Sequence, residues 1–93
     1  MLYNFMELPD ETIISHSEII NKDGKDHVKV YIETPDEKNC FNHATCWLPE
    51  DEWVDVLGYT QKQMDYFKDF VDSEKHLIFE FAKNGGLLNA SGL

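Results

Sequence analysis

The pattern of apolar and polar positions changes period at about Pro49. Before it, apolar residues tend to alternate with polar ones; after it, they return every three or four positions. A period of two predicts strands, and a period near 3.6 predicts helix. Residues 2–8 alternate loosely and run into Pro9-Asp10-Glu11, a turn sequence. Residues 12–20 carry the β-branched pairs Ile13-Ile14 and Ile19-Ile20. Asp23-Gly24 follows, and Asp-Gly between apolar runs is a strong short-range hairpin signal. Residues 27–34 form the clearest expected strand, with Val28, Val30 and Ile32 on one face and Lys29, Tyr31 and Glu33 on the other. A turn over 35–39 leads to a fourth strand at 41–48, ended by Pro49.

The second half reads as helix. Thr60 and Gln63 stand at capping-box spacing, with Tyr59 and Met64 placed to staple the entry. Met64, Phe67 and Val71 then recur at helical spacing, beside Phe70. Ser73 offers a second N-cap, ahead of Leu77, Ile78, Phe81 and Ala82. The favoured reading is two helices within 60–84, with one continuous helix as the alternative. Gly85-Gly86 supplies a C-terminal cap, and 87–93 reads as a loose tail. The expected class is α+β: an antiparallel sheet of about four strands, covered on one face by two C-terminal helices. At 93 residues, with no linker and no repeat, the chain reads as a single domain over 1–93.

Charge narrows the possible partners. Eighteen acidic residues face eight lysines and no arginine, a net charge of −10. Phosphate affinity comes largely from Lys and Arg, and base reading leans on bidentate Arg, so direct nucleic-acid binding is not expected. Anionic membrane surfaces are disfavoured for the same reason, whereas a basic protein is attracted. The start of the sequence has no basic segment followed by an apolar run, no stretch is apolar enough to span a bilayer, and two cysteines do not make a disulfide framework. A cytoplasmic, reduced setting follows as the expectation, and nothing in the sequence asks for a cofactor.

Few residues suggest chemistry. Cys40, His43 and Cys46 are metal-ligand types, with His27 or His16 as a further candidate. On an extended strand His43 points away from Cys46, and Cys40 lies about 20 Å from Cys46 at ~3.3 Å per residue. A small buried Cys46 is the simpler expectation. A small enzyme or metal protein built on His27, His43 and Cys46 stays as an alternative. Ser15-His16-Ser17 pairs a nucleophile with a base type, but strand neighbours face opposite sides. Gly85-Gly86 follows a helix, whereas a phosphate loop precedes one, and Asn89-Ala90-Ser91 matches a glycosylation acceptor only in pattern.

The acidic residues carry more weight. Glu50, Asp51, Glu52 and Asp55 surround Trp53, and Asp65, Asp69 and Asp72 share one helical face. Carboxylates so spaced match a phosphate repeat, so an acidic DNA mimic that inhibits a nucleic-acid-binding protein is a further alternative. Against it, Lys62 and Lys68 lie near the stripe, and residues 1–48 and 49–93 each carry 4 − 9 = −5. Trp53, Tyr59, Trp47 and Tyr31 can serve as aromatic anchors or as core. The leading expectation is a non-catalytic protein-interaction module contacting partners through Glu50–Asp55 and the Asp65/Asp69/Asp72 face. Self-association through an edge strand is a further possibility.

One resemblance adds to this. Ala44-Thr45-Cys46-Trp47-Leu48-Pro49, a short acidic stretch, Gly58-Tyr59-Thr60, a helix, then Leu77-Ile78-Phe79-Glu80-Phe81 resembles the DUF4160-type domain family of short bacterial proteins. The likeness spans roughly residues 27–83, and His27-Val28-Lys29-Val30 takes the place of its histidine segment, without the paired histidines and prolines usual there. It implies strands followed by two closing helices, and no catalytic residues.

Overall fold

The computed structural model describes residues 2–84, so the Gly85-Gly86 cap, the tail at 87–93 and Asn89-Ala90-Ser91 lie outside the described residues. Six antiparallel strands, β1 (Leu2–Glu7), β2 (Ile13–Ser17), β3 (Ile20–Lys22), β4 (Lys25–Asp36), β5 (Cys40–Leu48) and β6 (Glu52–Leu57), precede one helix, α1 (Gln61–Lys83). The expected four strands under two helices are therefore corrected: the described chain is mostly sheet, with two more strands and one helix fewer.

The strand order is β1-β2-β4-β5-β6, with β3 also paired to β4. β2 and β3 are the two halves of the run expected at 12–20. His16 pairs with Val30 and Ile20 with His27, so three residues (17–19) face two (28 and 29). That one-residue excess breaks the ladder. The Ser17 hydroxyl repairs it by accepting the Lys29 amide at 2.9 Å while donating to the Glu18 carbonyl. The β3–β4 hairpin turns on Asp23 and Gly24, both left-handed, as a two-residue primed turn requires.

β6 was hidden by its acidic flanks. Its alternating Trp53 and Val54 pair with Cys46 and Thr45 of β5, giving the sheet an edge where the sequence suggested a connection. α1 runs unbroken for 23 residues. Thr60 and Gln63 complete the capping box, and neither Gly nor Pro interrupts the helix. Ser73 does not cap a second helix: its hydroxyl donates to the Phe70 carbonyl one turn back, a bond that leaves the helix continuous. Helix ends are normally closed by αL glycine or local bonds; here the amide of Asn84 donates to the Phe81 carbonyl.

One sheet face is covered and the other is open. Ile14, Val28, Val30, Ile32, Ala44, Cys46 and Leu48 are fully buried beneath Met64, Phe67, Val71, Ile78 and Ala82 of α1. His16 is buried with them, ringed by Tyr3, Phe5 and Phe81. Thr12, Thr34 and Tyr59 form a hydroxyl relay, at 2.6 and 2.8 Å, which ends where Tyr59 donates to the Asn42 carbonyl. The relay ties the β1–β2 turn, β4, β5 and the helix entry together and satisfies polar groups that burial would otherwise leave costly.

Candidate functional site

The acidic residues singled out from the sequence do not stay together. The β5–β6 turn carries Asp51 in a left-handed conformation, and β6 then places Trp53 against the core. The middle of α1 passes the same spot. Asp51, Trp53, Lys68, Asp69 and Asp72 line a depression of about 410 Å³, so two of the three helical aspartates meet part of the Glu50–Asp55 segment around an indole. Lys75, not singled out from the sequence, reaches Asp51 at 2.9 Å and Asp72 at 3.5 Å, and donates to the Pro49 carbonyl at 3.4 Å. Bonding to Asp51 raises the Lys75 pKa above its ordinary value, with the charges of Asp51 and Asp72 adding to the effect. The depression is thus acidic, but Lys68 lines it and Lys75 pairs with two of its aspartates.

The remaining candidates go elsewhere. Glu50 accepts from His27 Nε2 at 3.0 Å, while His27 Nδ1 faces the Lys25 carbonyl at 3.0 Å. The Glu50 carboxyl is held below its usual range, first by its own backbone amide and then by His27. Asp65 accepts from Gln61 a turn away, and Glu52 is exposed.

Asp55 leaves the group altogether. Between His43 and Thr45 the register of β6 slips, and Asp55 adopts φ 54°. The slip lets three consecutive residues, Asp55, Val56 and Leu57, line one depression of about 460 Å³ on the open face with Lys29, Tyr31, His43 and Thr45. A regular strand would alternate them across the sheet; re-aiming a side chain in this way is a known use of a bulge. A bulge leaves no mark in hydrophobic periodicity, which is why this grouping was missed.

His27, His43 and Cys46 do not converge. Cys46 is fully buried beneath α1 and His43 lies on the opposite face, while His27 is committed to Glu50 and Lys25. Burial pushes the Cys46 thiol up to about 12, with the charge of Asp51 adding to the effect and Lys75 opposing it. Cys40 is exposed, and among the described residues no three His, Cys, Asp or Glu side chains gather to hold a metal ion. In Ser15-His16-Ser17, the His16 Nδ1 hydrogen bonds to the Ser17 carbonyl at 2.8 Å, so that residue is tied into the core. Of the aromatic candidates, Tyr59 serves the relay, Tyr31 donates to Glu33 at 3.3 Å, and Trp47 receives Lys22 over its ring at 4.2 Å. Burial and then Glu33 raise the Tyr31 phenol, and burial raises that of Tyr59 against the Thr34 hydrogen bond.

No helix among the described residues is long and apolar enough to cross a membrane. The chain matches no family model, no curated protein and no solved structure.

Proposed function

We propose that this protein is a non-catalytic, cytoplasmic interaction module that engages a basic protein through the depression around Trp53. The carrying observation is convergence: Asp51 and Trp53 from the β5–β6 region and Asp69 and Asp72 from α1 line one concavity. Acidic walls around an indole suit a lysine or arginine side chain, which is attracted by charge and by the ring face. Lys75 supports the walls by holding Asp51 and Asp72 together. Lys68 and Lys75 also interrupt the acidic stripe, which favours a side-chain pocket over imitation of an unbroken phosphate backbone.

The test compares affinity capture by the wild-type protein, an Asp69→Lys/Asp72→Lys variant and an Asp65→Lys control, each checked for native circular dichroism. A basic protein bound by the wild type and the control, released by rising salt and lost from the double variant, supports the proposal. A partner retained equally by the double variant removes this face, and the absence of any basic partner refutes the function.

A further inference from the structure

We propose that the open-face depression, separate from the Trp53 concavity, is a binding site for a small zwitterion with an apolar side chain, an aliphatic α-amino acid being the simplest. Lys29 and Asp55 both line it, yet neither side chain has an ion pair or a hydrogen bond to another described residue. Their placement explains this. Lys29 lies on β4 opposite Trp47, which pairs with Glu52 on β6; Asp55 stands two strands across and three residues farther on. At ~4.8 Å per strand and ~3.3 Å per residue their α-carbons are roughly 14 Å apart. At that spacing the two oppositely charged residues share one opening without forming an ion pair.

A ligand carboxylate at Lys29 and an ammonium at Asp55 would fill that opening, with the Thr45 hydroxyl and His43 ring within the same lining. Val56 and Leu57, 42% and 45% exposed, offer an aliphatic rim for the side chain. The field of the molecule favours a zwitterion over a simple anion: at a net charge of −10 an anion is repelled on approach, whereas a zwitterion carries no net charge and gains both contacts. Left-handed backbone is costly outside glycine and is often held at functional positions. Here it brings Asp55 to the open face.

The probe is L-leucine, titrated into ¹⁵N-labelled protein to about 10 mM, ten times a ~1 mM Kd fitting so shallow a site. The expected result is saturable shifts in the amides of Lys29, His43, Thr45 and 55–57. 4-Methylpentanoate, lacking the ammonium, and 3-methylbutylamine, lacking the carboxylate, should each bind at least about tenfold more weakly. Lys29→Met keeps the aliphatic stem, and Asp55→Asn keeps a residue that tolerates positive φ; each should weaken leucine by a similar factor. The proposal is overturned by the absence of saturable shifts, by either analogue matching leucine, or by variants with native spectra that bind as the wild type does. Because none of these residues lines the Trp53 concavity, either site can fail without the other.

Discussion

Gly58→Ala should be among the most damaging single-methyl additions to this fold. Gly58 sits at φ 90° between β6 and the helix entry, and a Cβ placed there overlaps the Oδ1 and Cγ of Asn42 and comes within 3.0 Å of its Cβ. Asn42 cannot yield easily: it is buried, its side chain accepts from Asn39 at 3.0 Å, and its carbonyl anchors Tyr59. The backbone conformation alone costs an alanine about 1–2 kcal/mol, and displacing Asn42 from Asn39 adds about 1 kcal/mol or more. The expected loss is about 2–4 kcal/mol, or roughly 10–25 °C in Tm for a domain of this size. Gly24→Ala is the control, since Gly24 has φ 79° but nothing within 4 Å of where the added methyl would stand, leaving only about 1–2 kcal/mol. Urea unfolding at constant m-value gives both figures. In an Asn42→Ala background the Gly58→Ala cost should fall toward the Gly24→Ala value. Equal costs for the two glycine variants, or no coupling to Asn42, would refute this account of the overlap.

Three further outcomes are expected. Ser73→Ala should leave α1 intact and stabilise it by about 0.5 kcal/mol in urea unfolding, because alanine is the better helix former; a loss near 1 kcal/mol would mean that Ser73 acts as a cap after all. With iodoacetamide at pH 8, native protein should be labelled at Cys40 only, since Cys46 is buried with its pKa near 12, and unfolding in urea should expose the second thiol to mass-spectrometric detection. Glu50 has a lowered folded pKa, so its contribution is present above the unfolded value of about 4.3 and is lost as pH falls through the folded value. Glu50→Gln should therefore be less stable than wild type at pH 6, with the difference shrinking toward pH 3 in parallel urea titrations.

Local rules reached part of this fold. The valines of β4, the Asp23-Gly24 turn and the Thr60/Gln63 box each depend on residues adjacent in sequence, so they could be read there. The number of strands and helices could not. Ser73 has the chemistry of a cap, but with uninterrupted helix formers on both sides its hydroxyl turns to the preceding carbonyl instead. Glu52 and Asp55 gave β6 the look of a solvated connection, although pairing with β5 gives Trp53 and Val54 a place in the sheet. The acidic cluster was legible as composition but not as geometry. Its separation into a Trp53 concavity, a His27 pair and an open-face Asp55 depends on a turn and a bulge that periodicity does not record.

The order of elements also has a consequence for biosynthesis. The β1–β2, β3–β4, β4–β5 and β5–β6 pairings join neighbouring strands through short turns, and β2 reaches β4 across the β3 hairpin, so the strands can assemble as they are made. Their apolar face, however, is covered only by the last described element, and Ile78 and Ala82 of that helix belong to the core. A nascent chain halted before α1 would present Ile14, Val28, Val30, Ile32, Ala44 and Leu48 to solvent as one sticky plane. Completion of this domain therefore waits on the emergence of the helix, and until then the apolar face of the sheet stays uncovered.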